Sequence, residues 1–205
     1  LELRRGMGEI VAVGAAHTAL SGFAWYAADR ASALRHAQAA IEILSSTDDR
    51  RALGFALSRQ AFIAAWAGDA AEARRSGDRA AALADDLDGD AVLRSTASIG
   101  IAVARLIDGD LGGRSDLLAA TGTGLRHRLD DLATTPMSNL CHYDVEHGRF
   151  GDAEESVTQA LLDALVQARV LQELAEGMRR GGEAGGNPHA MGQLRDHFAE
   201  AGVLA

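Results

Sequence analysis

The chain has 205 residues, of which 47% are apolar and 4% aromatic, and its 20 basic and 29 acidic residues leave a formal net charge of −9. That balance argues against a free-standing nucleic-acid binder, since counterion release needs a basic surface, while the apolar share is enough for a continuous core. All the basic residues are arginine, which excludes a phosphate-loop lysine, a Schiff-base lysine and any amine nucleophile from lysine.

In chain order, residues 1–8 read as a frayed lead or the tail of an earlier element. The opening at Leu1 rather than at methionine fits a piece of something longer. A first helix is expected from Glu9 to Ala28; its apolar run is interrupted by Gly14, His17, Thr18, Ser21 and Gly22, which argues against a signal or membrane segment. A second helix follows from Arg30 to Ser45, and Ser46-Thr47-Asp48-Asp49 forms a polar joint able to cap a third. The stretch from Ala52 to Leu87 holds two helices around a turn at Gly68-Asp69. Leu53, Ala56, Leu57, Ala61, Ile63, Ala64 and Trp66 mark the face of one, and Ala73, Ala80, Ala81 and Leu83 that of the other.

The acidic run from Asp85 to Asp90 imitates a calcium loop. With Gly89 at position six, however, Ala84 falls at one and Ser95 at twelve, so the run reads as a turn. A third unit runs from Ala91 to Ile107 and turns at Asp108-Gly109-Asp110; its second helix is weak, with Gly112-Gly113 in the first turn and Gly122 and Gly124 in the middle. Those glycines mark either a hinge or backbone-exposing pocket, or close helix packing or a local break. A fourth unit begins near Asp130, with Pro136 suited to the first turn of a helix. Cys141, His142, Asp144 and His147 lack the spacing of a shared ligand face, and no metal site is expected from them. As the only cysteine, Cys141 permits no internal disulfide and fits a reducing cytoplasm. Aromatics are few, so Trp25, Phe62, Trp66, Phe150 and Phe198 are expected as isolated large fillers among small side chains. After Met178 the composition becomes glycine-rich, giving a helical domain over 1–178, a linker over 179–188 and a last helix over 189–205.

Asp29, Asp69, Asp110 and Asp152 precede helical patterns at intervals of 40, 41 and 42 residues, and an aspartate is a good helix N-cap. Two helices per period of this size indicate an all-α chain, a right-handed α-solenoid of about four antiparallel hairpins with a short C-terminal helix.

The turns Ala67-Gly68-Asp69, Gly109-Asp110 and Gly151-Asp152, with AFIAAWAGDAAEARR and SNLCHYDVEHGRFGDAEESV, carry a family resemblance. From Leu20 to Ala164 the chain resembles the tetratricopeptide-like helical region of large bacterial LuxR-type ATPase transcriptional regulators of the maltose-regulator type. The resemblance implies a sensor or scaffold arm that receives an effector or partner while ATPase and DNA-binding modules act. No G-x-x-x-x-G-K-[ST] occurs. The stretch from Val170 to Gly177 looks like the opening helix of a LuxR-type DNA-binding domain, but glycine-rich sequence stands where its recognition helix is needed.

The expected function is therefore a non-enzymatic, cytoplasmic helical-repeat module whose concave face, lined by the first helix of each hairpin, takes a protein, peptide or small effector. Arg59, Arg94, Asn139 and Tyr143 are the candidate partner-binding residues. No catalytic residue, cofactor, direct nucleic-acid contact or membrane contact is expected, and homo-oligomerisation is open. The rivals are a small enzyme with its site between Thr121 and His127, and a self-associating structural piece.

Overall fold

The computed structural model describes residues 2–159 together with 161 and 162. The expected linker, the last helix, Phe198 and the end of the fourth unit lie outside the described residues. Within them the chain is helical and without strands. Its helices are α1 (Glu2–Tyr26), α2 (Arg30–Ser45), α3 (Arg50–Trp66), α4 (Ala70–Asp86), α5 (Ala91–Ile107), α6 (Gly112–His127) and α7 (Asp130–Glu146). Residues 150–159, with 161 and 162, belong to an eighth, α8. No helix among the described residues is long and apolar enough to cross a membrane.

Each helix from α1 to α7 packs on the next, and the odd-numbered ones also pack on one another, α1 on α3, α3 on α5 and α5 on α7. Among α2, α4 and α6 no two helices pack on each other. The odd row therefore carries the continuous contacts, which explains why α3 is buried nearly all round, through Ala56, Leu57, Ala61, Ile63, Ala64 and Ala65. In contrast, α4 buries one stripe of small residues: Ala73, Ser76, Gly77, Ala80 and Ala84. Small side chains let the backbones approach. At Gly100 of α5 an added Cβ would lie 2.6 Å from the Ala61 carbonyl carbon and 2.7 Å from the Phe62 nitrogen.

The turns after α1, α3, α5 and α7 share one form, which recurs at Arg128-Leu129 after α6 but not after α2 or α4. The backbone N–H of Asp29, Asp69, Asp110 and Arg149 each donates to the carbonyl five residues back, at 2.9, 2.9, 2.8 and 2.7 Å, the long bond of a Schellman-type helix end. The residue before each has positive φ: Ala28, Gly68, Gly109 and Gly148. Asp29 and Asp69 then cap the following helices, accepting from Ser32 N and Glu72 N. Asp110 accepts instead from Gly112 N while Leu111 holds the cap position. The fourth corner corrects the sequence reading: it lies at Gly148-Arg149, and Asp152 sits inside α8, where its carboxylate takes the Arg149 Nε at 2.6 Å.

Other expectations also change. α1 begins at Glu2, so the lead is helical rather than frayed. Pro136 lies well inside α7, because that helix already starts at Asp130. Phe150 is 66% exposed, whereas Phe62 is buried and Trp25 and Trp66 pack partly against the core. α6 runs unbroken from Gly112 to His127; its Gly113 lies against the Ala102 carbonyl of α5 and its Gly124 against the Leu132-Ala133 backbone of α7. Of the two readings of these glycines, close packing explains Gly113 and Gly124.

Candidate functional site

A cavity of about 370 Å³ opens on the odd-numbered row. α1 contributes Thr18; α3 contributes Arg51, Phe55, Ser58, Arg59 and Phe62; α5 contributes Val92, Thr96 and Ile99; α7 contributes Asp131, Leu132 and Thr135, with Leu129 just before it. No residue of α2, α4 or α6 reaches the wall. The spacings 51, 55, 58/59, 62 on α3 and 92, 96, 99 on α5 are those of one helical face, so the cavity lies where those stripes meet α7.

Most hydroxyls in the wall have already committed their protons. Thr18 Oγ1 donates to Gly14 O at 3.2 Å, Ser58 Oγ to Gly54 O at 2.9 Å and Thr96 Oγ1 to Val92 O at 2.8 Å. Their oxygens remain as acceptors. The two arginines differ. Arg51 is held by Asp90, Nε to Oδ2 at 2.6 Å, and lies 4.9 Å from the Phe55 ring centroid. Arg59 has no carboxylate within ion-pair distance among the described residues; its guanidinium carbon sits 5.9 Å from the Phe62 ring centroid. Gly22 of α1 lies beside it: a Cβ there would be in ordinary contact with the Arg59 guanidinium, at 3.4–3.8 Å. Burial pulls the Arg59 pKa below its ordinary value, with Tyr26 and Asp131 pulling the other way. Asp131 itself is exposed and forms no ion pair among the described residues.

Of the four residues expected from the sequence, only Arg59 borders the cavity. Arg94 is exposed and pairs with Asp85. Asn139 is buried with its Nδ2 lacking a partner among the described residues. Tyr143 is buried and stacked on His147, ring centroids 4.1 Å apart. Phe55, Phe62, Thr96 and Asp131 also line the wall and were not among the expected binding residues, Phe62 having been expected only as a core filler; the helical-face spacing was the signal that could have marked the first three.

Several polar groups elsewhere have partners within the fold. His142 Nε2 lies 3.2 Å from Glu146 and its ring packs edge-on to Trp66. His147 Nδ1 lies 2.8 Å from the Tyr143 carbonyl oxygen, and the buried Asp144 is paired with Arg114. Cys141 is half-buried, and burial together with Asp144 raises its thiol pKa. In the acidic run, Asp85 pairs with Arg94 and Asp86 with Arg50, while Asp90 caps α5 through Leu93 N at 2.9 Å. Among the described residues no three His, Cys, Asp or Glu converge as a metal site.

Set against protein-family models, curated proteins and solved structures, the chain matches none. The wall brings together an arginine and an exposed carboxylate without ion pairs among the described residues, hydroxyl acceptors and apolar rings, in a space at the lower end of the 300–1,000 Å³ common for small-molecule sites.

Proposed function

We propose that the chain is a non-catalytic helical-repeat module, a right-handed α-solenoid of antiparallel hairpins, whose odd-numbered helices line a concave face that receives an effector or partner. Occupancy of that face would be relayed to attached domains, as in the LuxR-type regulators whose helical arm the sequence resembles. The observation that carries the reading is the origin of the cavity wall: every residue in it comes from α1, α3, α5, α7 or the position just before α7. A ligand seated there touches four helices at once and stiffens the row along which the contacts run. Recurrence of the same hydrogen-bonded corner at Asp29, Asp69, Asp110 and Arg149 supports the repeat.

The test is a thermal-shift screen of small metabolites and short peptides, repeated on Thr96→Phe, which fills the cavity from its α5 wall. A ligand at 100 times its Kd is expected to stabilise the chain by about 2.7 kcal/mol, to be recovered chemically unchanged, and to lose its effect in the variant. Conversion of the ligand to product, or a stabilisation indifferent to Thr96→Phe, contradicts the reading.

A further inference from the structure

Eight arginines among the described residues are paired with carboxylates. Arg51 is matched by Asp90, Arg74 by Asp108, Arg105 by Asp110 and Asp116, and Arg114 by Asp144. Arg59 is not paired in this way among the described residues, and it lines the same cavity as the paired Arg51. Across the same cavity wall stands Asp131, likewise without an ion pair among the described residues, and the two are farther apart than an ion pair allows. If the two charges served stability alone, they would be expected to close on each other. Kept apart at one cavity, they form a two-ended site of opposite polarity.

We propose that this cavity takes a small amphipathic zwitterion, its carboxylate on the Arg59 guanidinium, its ammonium at Asp131 and its apolar body against Phe55, Phe62 and Ile99. The inference rests on the receiving-face reading and narrows its ligand. Each end follows from the residue present. A guanidinium offers a planar fork of donors that fits a carboxylate in two parallel bonds, and Arg59 is already partly stripped of water. The ammonium meets the Asp131 carboxylate, and the same wall holds the Ser58 and Thr96 oxygens as further acceptors, their protons being spent on their own helices. Selectivity comes from the opposition: a simple anion satisfies Arg59 but confronts Asp131, and a simple cation does the reverse. A volume of about 370 Å³ suits a free amino acid or a dipeptide, not a long chain.

The experiment is calorimetric titration of the full chain with four probes: leucine, Leu-Leu, N-acetyl-leucine and leucinamide. Leucine and Leu-Leu differ in the separation of their charges and so distinguish an amino acid from a peptide. At least one of them is expected to saturate the chain, with each singly blocked probe about tenfold weaker or more. Arg59→Gln is expected to abolish discrimination against leucinamide, and Asp131→Asn discrimination against N-acetyl-leucine, with helical circular dichroism unchanged. Arg59→Lys keeps the charge without the fork and should fall between the parent and Arg59→Gln. Failure of both zwitterions to bind at millimolar concentration, blocked probes that bind equally well, or binding insensitive to Thr96→Phe each overturns the proposal. A different ligand that stabilises the chain and is lost in Thr96→Phe would leave the receiving face standing while this ligand class falls.

Discussion

Replacing Gly100 by alanine tests the helix crossing on which the cavity depends. An added Cβ would stand 2.6 Å from the Ala61 carbonyl carbon, 2.7 Å from Phe62 N and 2.8 Å from Ala61 Cβ. Ordinary carbon contacts need about 3.5 Å or more, so α3 and α5 must part by roughly 1 Å. Two of the obstructing atoms are backbone and cannot rotate away. Overpacking of this kind costs about 1–3 kcal/mol, and the upper figure is the apt one here. Alanine returns about 1 kcal/mol through its better helix propensity. The net loss is then about 2 kcal/mol, or a fall of about 4–8 °C in Tm for a chain of this size. Gly122→Ala is the internal control: a Cβ there meets only the flexible end of Arg126, at 3.3 Å, and the same propensity gain should raise Tm by about 2–4 °C. Thermal melts followed by circular dichroism read both. A Gly100→Ala variant that melts at or above the parent temperature refutes the close crossing of α3 and α5.

Asp144 is fully buried and paired with Arg114, whose guanidinium also reaches Ser156 Oγ at 3.3 Å. Asp144→Ala strands that cation, and urea denaturation should show a loss of about 3 kcal/mol or more; a loss under about 1 kcal/mol would mean that the pair does not tie α6 to α7 and α8. Acid stability follows from the turns. Hydrogen bonds from Ser32 pull down the Asp29 pKa, Arg105 does so for Asp110 and Arg149 for Asp152; at Asp90 burial raises the pKa, but the Leu93 N–H and Arg51 outweigh it. Groups depressed in the folded state contribute stability that is complete above the ordinary aspartate value of about 4 and lost as pH falls through the folded values. The urea midpoint should therefore hold level from about pH 6 to 5 and fall below about pH 4. A midpoint that rises on acidification contradicts the assignment.

Much of the architecture was legible because its corners are local chemistry. Asp29 and Asp69 cap helices as expected, and α2 has the bounds Arg30–Ser45 that the pattern indicates. The fourth corner misled for a physical reason: Gly151-Asp152 copies the letters of a turn, but a positive φ is required at Gly148, and Asp152 serves Arg149 within the next helix. Glycines in α6 counted against a helix in the sequence, yet packing overrides propensity where a side chain would strike the neighbouring backbone, as at Gly113 and Gly124. The candidate site was legible only through Arg59. Arg94, Asn139 and Tyr143 stand on odd-numbered helices, but Arg94 is on the opposite side of α5 from Val92 and Thr96. Asn139 and Tyr143 share the face of Leu132 and lie roughly 10 and 16 Å farther along α7, at about 1.5 Å per residue. That Asp131 faces the same space as Arg59 depends on how α3, α5 and α7 pack, a long-range arrangement that periodicity within one helix does not encode.

The central claim, that the odd-numbered helices present one receiving face, is tested most directly by hydrogen exchange with and without a stabilising ligand. Slower exchange is expected over residues 51–62, 92–99 and 129–135, with α2 and α4 unchanged. Protection centred on α2, α4 or α6 would contradict it.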